Sequence, residues 1–213
     1  MEQLTTTVTA NGGHYESTGH ANHDANDFFY IGEATSSGTS AGKLKACIQF
    51  PKPTGLKSIK VLKMELNVYA RKSSDGYNGC VASVNYLGAT HGSDILHTFS
   101  GDFTLTEGNG GLRTFTTTNA ADMAYLKNVL LDNSTSTMWI KLMRTSGQGI
   151  WLWGYNNSDA KDKKPTLTIT YREGMEIKVY TSDAWHSAEP YVYTNGVWKP
   201  ANIEVYSNST WKS

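Results

Sequence analysis

Within the stretch from Lys60 to Ala70, every second residue from Leu62 onward is apolar, namely Leu62, Met64, Leu66, Val68 and Ala70. The opposite positions include Lys63, Glu65 and Asn67. A period of two places successive side chains on opposite faces of a β-strand, so this stretch is predicted to be a strand with one face in a core. Lys43 to Phe50 shows the same alternation, which is typical of an antiparallel sheet.

The composition also favours an all-β fold. The 213 residues include 20 glycines, and aromatic residues make up 11% of the chain, as expected for many short strands joined by turns. We predict an antiparallel two-sheet, jelly-roll-like sandwich over residues 1–173, with about nine to eleven strands and one short helix. The 19 basic and 19 acidic residues cancel, which disfavours nucleic acid as a partner.

One segment has helical periodicity. Asn119 is a candidate N-cap, and Asp122 stands three residues later in the capping-box position. The apolar residues at helical spacing are Met123, Leu126 and Leu130. We predict that this helix ends near Asp132 and Asn133.

Glycine-rich and polar segments are predicted to leave the sheet. Asn11 to Gly13 is interpreted as a turn, and Tyr15 to Asp27, rich in His, Asn, Gly and Asp, as a loop. Gly147 to Gly149 is interpreted as a turn between a strand over Met138 to Arg144 and another over Ile150 to Tyr155.

The last forty residues contain a repeat with a displacement of 13 positions, VYTSDAW, VYTNGVW and VYSNSTW. Its Val-Tyr and Trp positions are Val179, Tyr180, Trp185, Val192, Tyr193, Trp198, Val205, Tyr206 and Trp211. The polar pairs Ser182-Asp183, Asn195-Gly196 and Asn208-Ser209 suit tight turns, and Asn-Gly suits the type I′ turn best. We predict three short hairpins over residues 174–213, after a boundary at Arg172 to Gly174.

The repeat is predicted to make contacts rather than to perform chemistry. Isolated two-stranded hairpins are marginal in water, so the hairpins need the sandwich, copies of themselves or another protein to pack on. Sugar recognition by stacked tryptophan rings is the alternative. A second aromatic group, Trp151, Trp153 and Tyr155, shares one face of a strand. It is either a platform for a glycan or a cover for the core or a subunit contact.

Histidine and acidic residues lie close together in sequence at His14, His20, His23, Asp24 and Asp27. Imidazole and carboxylate groups are metal ligands, but this spacing matches no recurrent metal-site pattern. We therefore interpret the segment as a solvated loop, and we predict neither a metal nor a cofactor.

No catalytic motif is present among those that can be read from sequence, so we predict that the protein is not an enzyme. Cys47 lies on the polar side of its strand, but the sequence identifies no histidine partner for it. Cys47 and Cys80 are predicted to be free thiols, because a stapled secreted scaffold would carry more cysteines.

The order of the segments DANDFFYIG, KLKACIQF, LKSIKVLKMELNVYA, TFTTTNAADMAYLKNVL, MWIKLM and KKPTLTITY resembles the β-sandwich modules called DNRLRE domains. The resemblance runs from about Thr5 to Tyr171, with no clear equivalent for Gly88 to Gly111. It implies a jelly roll similar to carbohydrate-binding modules, as found in surface proteins and phage structural proteins.

The tail segment YVYTNGVWKPA resembles the V-Y-x-x-G-x-W-K repeats of tailed-phage virion proteins such as collar, fibre and tail components. This resemblance implies a non-enzymatic virion protein that contacts copies of itself and other virion proteins, and it makes a homo-oligomer the expectation. The alternative is an adhesin for host-surface glycans. The opening MEQLTTTVTA shows no signal-peptide pattern and no stretch is apolar enough for a membrane span, so we expect synthesis in the host cytoplasm and no membrane insertion.

Overall fold

The computed structural model describes residues 3–17, 20–24, 27–33, 43–71, 79–91, 94–106, 110–173, 177–181, 184–188, 191–200, 205–207 and 210–212. The first twelve strands are β1 (Leu4–Thr9), β2 (Gly12–Ser17), β3 (His20–Asp24), β4 (Phe28–Glu33), β5 (Lys43–Pro51), β6 (Ile59–Ala70), β7 (Gly79–Gly88), β8 (His97–Thr98), β9 (Phe103–Thr106), β10 (Gly111–Thr117), β11 (Thr137–Trp153) and β12 (Thr166–Glu173). Helix α1 (Ala120–Leu131) precedes β11, and a 3₁₀ segment (Ser158–Lys163) follows it.

These strands form one curled antiparallel sheet that packs as a two-layer sandwich. The order of paired strands is β1-β12-β6-β11-β4-β5-β2-β3. Outside this order, β10 pairs with β6, and β7 pairs with β11, β8 and β9. The first half of β11 pairs with β5 on one side and β7 on the other, whereas Gly149 to Trp153 pair with β4. Buried residues of β5, β6, β7, β11 and β12 join in one core, which confirms the predicted all-β sandwich.

Strand β11 is continuous over 17 residues, so the predicted turn at Gly147 to Gly149 is wrong. Its pairing with β7 shifts register between Arg144 and Ser146 and again between Gly147 and Gly149. Gly147 has a φ of +82°, and a Cβ there would lie 2.8 Å from the Cα of Cys80. The glycines therefore permit a bulge and a close backbone contact instead of a chain reversal.

The predicted loop at Tyr15 to Asp27 is also wrong, because β2 and β3 form a hairpin there. The predicted turn at Asn11 to Gly13 fails as well, since Gly12 and Gly13 pair with β5. A Cβ on Gly13 would lie 2.7 Å from the carbonyl oxygen of Cys47, so this glycine serves close approach to a neighbouring strand. Sheet pairing has overridden a local composition that is typical of loops.

The alternation in β6 changes phase at one residue. The core-facing residues Met64, Leu66, Val68 and Ala70 are buried as predicted, but Leu62 is only half-buried. Val61, the residue before Leu62 in the sequence, is buried instead. The pairing between β6 and β12 shifts register between Thr170 and Tyr171, and this bulge moves the inward-facing position by one residue.

Helix α1 matches its prediction closely. The side-chain oxygen of Asn119 accepts hydrogen bonds from the backbone N–H of Ala121 (2.9 Å) and Asp122 (3.3 Å). The buried face consists of Asp122, Met123, Leu126 and Leu130. At the other end, the Lys52 ammonium donates to the backbone oxygens of Val129 and Asp132, which suits the negative end of the helix dipole. Within the described residues, no helix is both long and apolar enough to cross a membrane.

Asp122 connects the first turn of α1 to β8 and to the residues after β8 through hydrogen bonds. Its carboxylate accepts hydrogen bonds from the Ser100 backbone N–H (2.8 Å), the Thr117 hydroxyl (2.8 Å) and His97 Nε2 (2.9 Å). It does not close a capping box, because the Asn119 backbone N–H donates to Thr117 instead. Burial raises the pKa of Asp122, but these three hydrogen bonds outweigh burial and hold the pKa below its usual range.

The tail forms three separate two-stranded sheets, which confirms the predicted hairpins. Their strands are β13 (Ile177–Thr181) with β14 (Ala184–Ala188), β15 (Tyr191–Thr194) with β16 (Val197–Pro200), and β17 (Val205–Ser207) with β18 (Thr210–Lys212). In each hairpin the repeated Tyr and Trp stand opposite each other in register, as Tyr193 does with Trp198. Asn195 (φ 52°) and Gly196 (φ 79°) form the type I′ turn, whereas the other two turn pairs lie outside the described residues.

We predict that Asp122→Asn lowers the free energy of unfolding by about 1–3 kcal/mol near neutral pH, because the amide group leaves buried donors poorly matched. The folded-state pKa of Asp122 is depressed, so its stabilisation is complete above the unfolded pKa of about 3.9 and is lost as pH falls through the folded pKa. Urea unfolding at several pH values measures this difference. Asp102→Asn, at an exposed residue, is the control and should change little at any pH.

Candidate functional site

A row of polar residues crosses the outer face of the sheet formed by β2, β5 and β11. His14 stands opposite Cys47, and Cys47 stands opposite Lys141. The neighbours of Cys47 along β5, Ala46 and Ile48, face the core, so the row lies on the other side of the sheet. Alternation along β2 places Glu16 on the same face as His14.

These side chains converge with His91, which follows β7. The Nε2 atoms of His14 and His91 are 2.9 Å apart, and Nε2 of His91 lies 2.5 Å from Oε1 of Glu16. The Lys141 ammonium lies 3.0 Å from Oε2, the second oxygen of Glu16. The indole ring of Trp139 packs beside both imidazoles, at centroid distances of 5.5 Å from His14 and 5.4 Å from His91.

The two charged side chains of this cluster, Lys141 and Glu16, are largely shielded from solvent. The side chain of Lys141 is 4% exposed and that of Glu16 is 17% exposed. Burial raises the pKa of Glu16, but the hydrogen bond and charge of Lys141, joined by His91, outweigh it and lower the pKa below its usual range. Burial, followed by the charge of His91, lowers the pKa of His14. Near neutral pH, Glu16 is therefore an ionised acceptor facing uncharged His14.

Cys47 has the histidine neighbours that the sequence did not identify. Its Sγ and the ligand atoms of His14, Glu16 and His91 all lie within 4.8 Å of one another. Burial, and then the charge of Glu16, raises the pKa of the Cys47 thiol far above its usual value, so the free thiol is not an activated nucleophile. Cys47 and Cys80 are both free, as predicted, and both are buried.

Among the side chains of His14, His20, His23, Asp24 and Asp27, the structure places one in this cluster. His14 belongs to it, whereas His20, His23 and Asp24 lie on β3, whose side chains are outside the described part of the chain. Asp27 is exposed and begins the segment leading into β4. Glu16, Cys47, His91 and Lys141 were missed because they come from four separate segments. The alternation of His14 and Glu16 was the available signal, but it can be used only once β2 is known to be a strand.

The aromatic pair Trp151 and Trp153 packs against β4. Trp151 stands opposite Tyr30 with ring centroids 4.6 Å apart, and Trp153 stands opposite Phe28 at 5.2 Å. The indole N–H of Trp151 is buried without a hydrogen-bond partner. Tyr155 is half-buried against the core. The three residues therefore belong to a packed and partly buried surface.

Two cations border the ring of Trp153. The Lys163 ammonium lies 5.3 Å from the ring centroid, and the Arg71 guanidinium lies 5.8 Å from it. Arg71 also stands over the Phe28 ring at 4.3 Å. Cations within about 6 Å of an aromatic face are attracted by its quadrupole, so they help to fix the orientation of this surface.

The middle hairpin exposes large apolar side chains. Tyr191, Val192, Tyr193 and Val197 are 52%, 45%, 58% and 56% exposed. The side chains of the remaining repeat positions lie outside the described part of the chain, namely Val179, Tyr180, Trp185, Trp198, Val205, Tyr206 and Trp211. Their predicted role in contacts stays a prediction.

Comparison with known proteins does not place the chain in a family. No protein-family model matches it, and no curated protein matches its sequence. Among solved structures, it is similar to the CBM22-2 xylan-binding domain of Xyn10C from Paenibacillus barcinonensis, with 9% sequence identity and a TM-score of 0.27. That similarity covers 78% of this chain and 96% of the xylan-binding domain.

We predict that Glu16→Gln lowers the free energy of unfolding by about 3–5 kcal/mol, because it leaves the buried Lys141 ammonium without its anionic partner. The double variant Glu16→Gln/Lys141→Met should recover much of this loss, since no buried charge then remains. Glu65→Gln is the matched control, because its partner Lys63 is 36% exposed and such a pair contributes about 1 kcal/mol or less. Urea unfolding at neutral pH measures all three changes, and equal losses in Glu16→Gln and Glu65→Gln would contradict the interpretation.

Proposed function

We propose that this chain is a non-enzymatic structural component of a tailed-phage virion. In this proposal the sandwich is the body of the protein, and the three C-terminal hairpins attach it to copies of itself and to neighbouring virion proteins. The resemblance of YVYTNGVWKPA to virion repeats supports the class of protein. The exposed middle hairpin supports the mode of attachment.

The observation that carries the proposal is that each hairpin forms its own two-stranded sheet, separate from the main sheet. Both strands of a two-stranded sheet are edge strands, and such a sheet is marginally stable by itself in water. The middle hairpin also leaves Tyr191, Val192, Tyr193 and Val197 about half exposed. A partner that covers these side chains and edges would stabilise the hairpin.

The magnitudes favour several weak contacts over one strong contact. Completing the burial of four half-exposed side chains contributes about 3–6 kcal/mol. Association costs at least about 4 kcal/mol in lost translational and rotational freedom, so one hairpin binds weakly by itself. Three linked repeats raise the effective concentration for each further contact, and a symmetric oligomer multiplies the effect.

We predict that the full chain is oligomeric and that a chain ending at Glu173 forms particles with fewer chains, as given by the molar mass from light scattering divided by the mass of one chain. The truncated chain retains β1 to β12, so its circular dichroism spectrum and thermal unfolding should still be those of a folded sandwich. The full-length double variant Val192→Thr/Tyr193→Ser should weaken association in the same direction, because it removes exposed apolar surface from the middle hairpin.

Leu112→Ser is the matched control for that variant. Leu112 is 49% exposed on β10, so the substitution removes a comparable apolar surface from the sandwich instead of from the tail. Its molar mass should equal that of the full chain. A truncated chain with the same oligomeric state as the full chain would show that the hairpins do not mediate self-association.

A second candidate function is recognition of host-surface glycans by the surface that contains Trp151, Trp153 and Tyr155. The supporting observation is the partly exposed indole of Trp153, bordered by Arg71 and Lys163, because aromatic faces stack on sugars while cations can contact their polar groups.

For this candidate, a glycan array with the full chain should give hits that weaken about tenfold or more in Trp153→Ala, which corresponds to about 1.4 kcal/mol. Trp153→Phe is the conservative control and should retain most of the signal, because it keeps an aromatic face. An array without hits, or hits unaffected by Trp153→Ala and Trp151→Ala, would exclude this surface as the glycan site.

A further inference from the structure

We infer that His14, Glu16 and His91, completed by Cys47, form a binding site for a divalent transition-metal ion of the zinc type. This site lies on the outer face of the sandwich and is separate from the hairpins to which the proposed assembly function belongs. Its four residues come from β2, from β5 and from the segment between β7 and β8.

The first argument is the convergence of the ligand atoms. Nε2 of His14, Nε2 of His91 and Oε1 of Glu16 form a triangle with sides of 2.9, 2.5 and 3.6 Å. A point about 2.1 Å from all three atoms lies about 1 Å above their plane, and that distance is the length of a zinc bond to nitrogen or oxygen. An ion at that point reaches all three atoms, and only the side chains have to shift to widen the two shorter sides toward tetrahedral spacing.

The second argument is that protons satisfy these atoms poorly. An ionised carboxylate only accepts hydrogen bonds, and a neutral imidazole carries a proton on one of its two nitrogens. If Nε2 of His91 donates its proton to Glu16, it has no lone pair left for His14. Nε2 of His14, 2.9 Å away, then either faces the same proton as a second acceptor or, in the other tautomer, directs a second N–H at it. A cation at the centre is attracted to all of these lone pairs at once.

The surroundings hold the ligands in place. Lys141 binds Oε2 of Glu16 and leaves Oε1 directed at the histidines, which favours monodentate ligation. Trp139 packs beside both imidazole rings. The β-ladder fixes Cys47 directly opposite both His14 and Lys141. Contacts of this kind to the groups behind the ligands are typical of metal sites.

The donor set selects the class of ion. Two imidazoles, one carboxylate oxygen and one sulfur suit zinc and its first-row neighbours, whereas calcium and magnesium prefer oxygen ligands alone. Four protein ligands would leave no open position for a substrate, so the site is structural. Bound metal would connect β2 and β5 to the segment after β7, and it would stabilise the sandwich through binding to the folded state.

The test is a titration of chelator-treated full-length protein with Co²⁺ and Zn²⁺. We expect one ion per chain by calorimetry, the visible absorption of tetrahedral cobalt, and a melting temperature that rises with zinc concentration. His14→Ala and His91→Ala should each weaken binding by about 100-fold or more. Cys47→Ser should remove the sulfur-to-cobalt charge-transfer absorption. His97→Ala is the matched control, because His97 contacts Asp122 outside this cluster, and it should bind the ion as the unmodified chain does.

X-ray absorption of the zinc-loaded, unmodified chain tests the site without any substitution. It should show nitrogen or oxygen at about 2.0–2.2 Å and one sulfur at about 2.3 Å. Absence of binding at micromolar metal would overturn the inference. So would tight binding that persists in the His14→Ala/His91→Ala double variant, or a zinc spectrum with oxygen ligands only.

Discussion

Backbone pairing along β11 is the interaction on which the rest of the sandwich depends. Its first half lies between β5 and β7, and its second half pairs with β4 and, at Leu152, with β6, so one strand connects these neighbours within the curled sheet. The bulges between Arg144 and Gly149 make this possible, because they bend the strand without ending its ladder. The same strand carries Lys141 on the polar cluster and Trp151 and Trp153 on the aromatic surface. Both candidate sites therefore depend on where β11 bends.

The polar cluster on the sandwich and the hairpins of the tail differ in what they expose to solvent. On the outer face of β2, β5 and β11, polar groups are withdrawn from solvent, and Lys141 and Glu16 are held as a close ion pair. In the tail, tyrosine and valine side chains remain exposed on a hairpin that has its own small sheet. The proposed attachment function would make use of this difference, because an exposed hairpin gains stability when a partner covers it.

Prediction from sequence succeeded where local chemistry decides the structure. The alternation around Met64 and Ile48 identified core strands, and the cap at Asn119 identified the helix. It failed where contacts between residues far apart in the sequence decide the structure. Gly12 and Gly13 suggest a turn, but they pair with β5, where Gln49 approaches Gly12 and the backbone of Cys47 approaches Gly13 too closely for a side chain. Leu62 left its predicted face because the partner strand β12 shifts register beside it.

The sequence by itself determined the strand-rich character of the chain, the helix and the three hairpins, since each follows from alternation, capping or turn residues within a few positions. The Asn195-Gly196 turn needs no other part of the chain to explain it. Only the tertiary structure decided the polar cluster, because His91 reaches His14 across 77 positions of sequence. The physical reason is that ladder register, and not sequence distance, sets which side chains meet across strands.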